Sequence, residues 1–308
     1  MKFAYTVPLF GAALLVLLLA GCAGLPVIHP NELKARENLA EAQELLMQNH
    51  PARAMASVRK ALEMHRLVGD LPGTIDDMNR LARLSFYLGK VDAAKQWIDR
   101  ALLLEGVSDY SEKNAETLIL AAETAPSGKA GPWIAAAHRI TDAMPPGSEE
   151  RDRLEARLFQ VEGMKASDKK DYQGAIPLFK KALALDSRRK DSLSIATDHA
   201  SLARNYYLSG NYNKALSHFG KALSRDKSLH NHAGIAFDLE GISLADAGLG
   251  RYRDSTRKMM EASGVEMGLG RMEMAKRDVT FARSLLRDIR TPDAERFRIV
   301  LQHWFDTD

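Results

Sequence analysis

Tyr172-Gln-Gly-Ala175-Ile-Pro-Leu-Phe179-Lys-Lys-Ala182-Leu183 is answered 40 residues later by Tyr212-Asn-Lys-Ala215-Leu-Ser-His-Phe219-Gly-Lys-Ala222-Leu223. Both stretches carry an aromatic residue, then a small, a bulky and a small residue at offsets of 3, 7 and 10. Those offsets lie on one face of a helix. Two alanines on that face let a neighbouring helix approach closely, and the bulky residue between them fills the gap that is left. Steps of forty lead downstream to Tyr252 and Pro292 and upstream to Val91 and Pro51. The interval from Val91 to Tyr172 has room for one irregular unit, anchored at Trp133.

Seven units follow from this spacing. The small residues return in register at Ala54, Ala94, Ala136, Ala175, Ala215, Ser255 and Glu295, and again at Ala61, Ala101, Ala143, Ala182, Ala222, Ala262 and Gln302. Turn residues stand two before the anchor at Asn49, Gly89, Gly131, Gly210 and Gly250, where glycine permits a positive φ between two helices. Ala42, Ala82, Gly163, Ala203 and Ser243 stand nine before it, on the preceding helix where the pair should cross.

A small residue on a first helix, a glycine turn, an aromatic, then Ala and Phe on a second helix: this pattern resembles the tetratricopeptide repeat. The resemblance is carried best by Gly163, Tyr172, Ala175, Phe179 and Ala182, and by Ala203, Tyr206, Gly210, Tyr212, Ala215, Phe219 and Ala222. It implies an all-α fold, a right-handed α-solenoid of about seven helix-turn-helix repeats of about 40 residues across 31–308. The unit exceeds the ~34 residues of that repeat, and the loops at 68–73 and 187–192 are expected to absorb the excess. Pro126-Ser127-Gly128 and Met144-Pro145-Pro146-Gly147 predict a break in the third unit, and Arg283, Glu295 and Gln302 predict a polar cap in the seventh.

The N-terminus reads Met-Lys2, an apolar run from Val7 to Ala20, then Leu19-Ala20-Gly21-Cys22. The run suits the h-region of a signal peptide and is short for a membrane span. Cys22 is the single cysteine, so no intrachain disulfide or Cys-based zinc site can form. The segment resembles the signal and lipobox of bacterial lipoproteins. The resemblance implies cleavage after residue 21, lipidation of Cys22 with a palmitate-bearing anchor, and a short tether over 22–30. Because Ala23 rather than aspartate follows the cysteine, it also implies an outer-membrane, periplasm-facing position. Several acyl chains hold a protein at a bilayer firmly, where one does so marginally.

Composition excludes other classes. Lysines and arginines number 43 against 40 acids, a formal charge of +3, which is too balanced for a nucleic-acid binder. No HExxH, GxSxG, Walker A or dinucleotide glycine fingerprint occurs. No catalytic residue, cofactor or metal ligand set is assigned. His230-Asn231-His232 lies in an inter-repeat loop, and Met259, Met260, Met267, Met272 and Met274 form a methionine-rich stretch suited to packing, partner contact or soft-metal binding.

A stack of such pairs lines its concave face with the first helix of each unit. Residues eight and twelve before the anchors should face that groove: Asn79, Arg83, Gln160, Met164, Ala200, Arg204, Glu240 and Leu244, with Phe86 and Tyr207 as aromatic neighbours five before theirs. Arginines beside aromatics suit a peptide carrying a carboxylate. The expected function is a non-enzymatic, membrane-anchored scaffold for protein partners in an envelope machine. The resemblance extends to pilotin-like lipoproteins of type IV pilus secretins, with barrel-assembly and peptidoglycan adaptors as further possibilities. The alternative is a periplasmic copper or small-ligand handler built on the Met/His-rich C-terminal units.

Overall fold

The computed structural model describes residues 29–48, 50–106, 111–287, 289 and 291–304. The signal segment, Cys22, most of the tether and Asn49 lie outside them. Among the described residues there are 14 helices and no strands. They form seven pairs: α1 (Pro30–Met47) with α2 (Pro51–Leu67), α3 (Leu71–Tyr87) with α4 (Val91–Glu105), α5 (Ser111–Thr124) with α6 (Gly131–Ala143), α7 (Glu149–Asp168) with α8 (Tyr172–Arg189), α9 (Ser192–Leu208) with α10 (Tyr212–Ser228), α11 (His232–Gly248) with α12 (Tyr252–Gly268), and α13 (Met272–Leu286) with α14 (Pro292–Gln302). The chain is an α-solenoid of helix pairs, in which each helix packs on the next.

The forty-residue period is built from helices of equal length rather than from long loops. Most helices from α8 to α12 have 17 residues, and turns of only two or three residues join them. Each turn passes through one left-handed residue. From the fourth unit onward these recur every twenty positions: Lys170, Lys190, Gly210, His230, Gly250 and Gly270. Thus the loop expected over 187–192 is mostly helix, because α8 runs to Arg189. Asp70, Asp171, Asp191 and Asn231 cap the following helices through side-chain oxygens that accept a backbone N–H three residues on. Gly73 and Gly174 follow from those caps. A Cβ at either would lie within 2.3 Å of the capping carboxylate.

The notch residues lie where the helices cross. Ala54, Ala61, Ala94, Ala101, Ala175, Ala182, Ala215, Ala222 and Ala262 are fully buried, with Phe179 and Phe219 between their alanines. On the facing helices, a Cβ at Gly163 or Gly241 would come within 3 Å of the Phe179 or Phe219 ring. Ser243 and Ser255 replace an alanine pair and hydrogen-bond to each other at 2.9 Å, which satisfies two hydroxyls that the core would otherwise strand.

Two units depart from the expected register. In the third, Ala137 and Thr141 are buried while Trp133 and Ala143 are exposed, so its anchor is Ile134. Gly131 begins α6 and takes no positive φ. The helices of this unit, of 14 and 13 residues, are shorter than those from α7 to α12, and the two proline-bearing segments flank α6. In the seventh, Ala282, Ala294 and Leu301 fill the notch, one residue before the expected places. Glu295 and Gln302 therefore point outward, and α14 is no polar substitute for a packed helix. Trp304 covers this end and donates its indole N–H to Ser263.

First helices of successive units also touch one another: α3 with α5, α5 with α7, and α9 with α11. No two second helices among the described residues pack to that extent. The first helices therefore lie on the inside of the curve.

Candidate functional site

Five consecutive first helices converge on one cavity of about 440 Å³. Phe86 enters from α3, Glu123 from α5, Met164 from α7, Ala200 and Arg204 from α9, and Phe237 from α11. The apolar part of the wall is aromatic and thioether: Phe86 is half-buried, while Met164 and Phe237 are exposed. Arg204 is exposed and makes no ion pair among the described residues. An arginine left without an internal anion, beside rings that exclude water, can take a carboxylate in a charge-assisted pair.

The wall is held rigid at its other cation. Lys165 donates to the carbonyls of Glu123 and Ala125, both at 2.7 Å, and so caps the C-terminal end of α5. Burial lowers its pKa, and the charges of Asp168 and Glu123 oppose that. Nearby, Ser127 donates to Asp168 at 2.9 Å and ties the third-unit connection to α7.

A second concavity of about 480 Å³ lies beside it, lined by Asp76, Asn79, Arg80, Arg83, Glu116, Glu150 and Arg153. Its centre is Glu116, which accepts from Arg83 at 2.9 Å, Arg153 at 3.1 Å and Arg157 at 2.9 Å. Burial alone would raise the Glu116 pKa, but Arg157, Arg153 and Arg83 hold it down to about 2. The same site presses on Arg157 in the other direction: burial and the neighbouring Arg83 lower it to about 10. This cluster neutralises itself and welds α3, α5 and α7 together.

The groove residues expected from the sequence separate into groups. Phe86, Met164 and Arg204 line the main cavity, and Asn79 and Arg83 line the second. Asn79 is buried and donates to Thr117 at 2.8 Å. Gln160 is engaged by Asp198 at 2.9 Å and Asp186 at 3.3 Å. Tyr207 leans on Tyr212, with ring centroids 5.7 Å apart, and braces the core beneath it. Glu240 pairs with Arg277 of the next first helix at 2.9 Å. Leu244 is half-buried and lines neither concavity. Phe237 and Thr197, fifteen before their anchors, are cavity residues that the spacing rule omits. They lie on the same face as Arg204, nearer the start of their helices, and that shared face is the signal for them.

The methionines and histidines of this stretch stand in different surroundings. Met259 is buried in the last core cluster, Met272 and Met274 are exposed, and His230 and His232 flank the cap of α11. Among the described residues no three His, Cys, Asp or Glu side chains stand together as metal ligands. No described helix is long and apolar enough to cross a membrane.

Residues 166–228 match the family model of the tetratricopeptide repeat. No curated protein matches the chain. Among solved structures, the chain is similar to a signal transduction ATPase with numerous domains from Pyrococcus horikoshii, which carries a tetratricopeptide repeat sensor. The TM-score is 0.61 at 14% identity, over 91% of this chain and 48% of that one. It is also similar to the Cut9–Hcn1 hetero-tetramer of the APC/C, with a TM-score of 0.56 at 17% identity, over 87% of this chain and 46% of that one. These likenesses are of fold.

Proposed function

We propose that the chain is a non-catalytic scaffold that binds a protein partner in its inner groove. On this reading it is held at the periplasmic side of an outer membrane by lipid on Cys22. The observation that carries the binding reading is the convergence of Phe86, Met164, Ala200, Arg204 and Phe237, from four first helices, on one cavity with an unpaired guanidinium. Concave faces of repeat arrays are extended binding surfaces. An apolar wall beside a free arginine suits an extended or helical segment with an acidic residue. Cut9, similar in fold, is found in assembly with Hcn1. The anchor reading rests on Leu19-Ala20-Gly21-Cys22 after an apolar run. Support of an envelope machine, with a pilotin-like role first, follows from joining an anchor to a repeat array.

Two measurements test this. A photo-crosslinking residue at Ala200 should capture a discrete partner in cells, and one at the outward Lys181 should not. Arg204→Glu should abolish the Ala200 product. Equal capture at both positions, or capture indifferent to Arg204→Glu, would refute the groove. Cys22→Ser should release the chain from the membrane fraction or leave an uncleaved precursor. Unchanged processing and retention would refute the anchor.

A further inference from the structure

The joints between units contain a second repeating pattern, one of paired polar side chains. At five joints, a polar residue in the last turn of a second helix is followed twelve positions later by one on the next first helix, and all ten are 6% exposed or less. The early joints bring their own donor. His65 Nδ1 and Asp77 Oδ2 are 2.7 Å apart, and the Thr117 hydroxyl donates to Glu105. The later joints set carboxyl against carboxyl: Asp186 with Asp198, Asp226 with Asp238, and Glu266 with Asp278.

Two of these acid pairs have a partial remedy. Arg189 lies 2.7 Å from Asp186, and the Gln160 amide reaches Asp198. Arg271 lies 3.6 Å from Glu266, and Arg277 lies 3.0 Å from Asp278 while also facing Glu240. The Asp226–Asp238 pair has none. The groups bearing on it are the two carboxyls themselves and the neutral Asn231 amide, which donates to Asp226 at 2.9 Å. No lysine, arginine or histidine of α9, α10, α11 or α12 pairs with either acid among the described residues. Both oxygens of Asp238 are buried with no donor. Two carboxylates in such a place would repel each other and leave buried acceptors stranded. One proton between them converts the contact into an O–H···O bond.

We propose that the joint between the fifth and sixth units is closed by a proton shared between Asp226 and Asp238, making it a pH-sensitive hinge in the groove wall. Asp226, Asn231 and Gly234 all line the main cavity, so loosening this joint moves the edge of the binding groove. Burial, then the charge and hydrogen bond of Asp226, push Asp238 up to about 9, and burial raises Asp226. An aspartate in the unfolded chain titrates near ~3.9. Between those values the folded chain holds more protons than the unfolded one. The joint's contribution is therefore complete below about pH 4 and declines as pH rises towards 9.

The test uses the purified full chain. In infrared difference spectra at neutral pH, the C=O stretch of a protonated carboxylic acid should be present and should weaken in Asp238→Asn. Urea midpoints from pH 5.5 to 8.5 should fall in the native chain. Asp238→Asn should exceed it by a margin that widens across this range and lose up to one proton's worth of that slope, because the amide imitates the neutral acid at every pH. Asp226→Asn provides the same comparison if Asp238→Asn does not fold, and the exposed Asp254→Asn should leave the slope alone. A native slope in both joint variants, or an acid band unchanged by them, overturns the proposal.

Discussion

Arg271 donates a hydrogen bond to the Tyr87 hydroxyl at 3.2 Å, although 184 residues separate them. Hydrogen bonds between neighbouring units span about one repeat, as Lys165 to Glu123 does at 42 positions. The Tyr87–Arg271 contact instead joins the end of α3 to the start of α13, next to Phe86 at the cavity, so the solenoid curls far enough to meet itself. Removing the hydroxyl with Tyr87→Phe should cost no more than ~1 kcal/mol, since both partners reach solvent. It should nonetheless increase the radius of gyration measured by small-angle X-ray scattering. An unchanged scattering curve would show that the curl is set by helix packing alone.

The glycines under the phenylalanine rings predict opposite signs for one kind of substitution. Gly163→Ala brings a Cβ to 2.8 Å from Phe179, and Gly241→Ala to 2.3 Å from Phe219. Each should destabilise by ~1–3 kcal/mol through overpacking. Gly264→Ala, inside α12 with open space around it, should instead stabilise by ~0.5–1 kcal/mol through helix propensity. Urea denaturation of the three variants decides the matter.

Much of the fold is legible in the residues themselves, because packing at a helix crossing demands small side chains in a fixed place. Ala175, Phe179 and Ala182 announce their helix and its partner. Spacing misleads where the chain changes its count. Trp133, large and next to a proline, has the look of an anchor, but it is exposed, and the half-buried Ile134 is the one that packs on the core. Pro292 lies forty past Tyr252, yet Ala294 and Leu301 fill the notch from a register beginning at Thr291. The groove is only half legible. Exposure on a helix face follows from spacing, as at Met164 and Arg204. What a polar side chain binds depends on the next unit, and that partner takes up Gln160 and Glu240.

The left-handed turn residues predict a second pair of opposites. Gly210 has φ of 79°, so Gly210→Ala should cost ~1–2 kcal/mol. Lys190 has φ of 57° with a Cβ already in place, so Lys190→Gly should gain up to ~1 kcal/mol. Thermal unfolding of both variants checks the signs.

Glu116→Gln tests the weld between the second, third and fourth units. The neutral amide leaves Arg83, Arg153 and Arg157 without their common anion, and a loss of ~3–5 kcal/mol is expected. The pH dependence runs opposite to that of the acid joints. Three arginines outweigh burial and lower the Glu116 pKa to about 2, so its contribution is complete above about pH 4.5 and disappears as pH falls towards 2. Acid titrations followed by circular dichroism should lose part of their low-pH limb in the variant.

The turns at 170, 190, 210, 230, 250 and 270 also limit how such a chain can change length. A gain or loss of a few residues inside a helix would rotate every later side chain off its notch. A gain or loss of forty restores each neighbour to an equivalent one. Over evolutionary time, this stretch can grow or shrink only by whole modules, and the groove's reach is quantised accordingly.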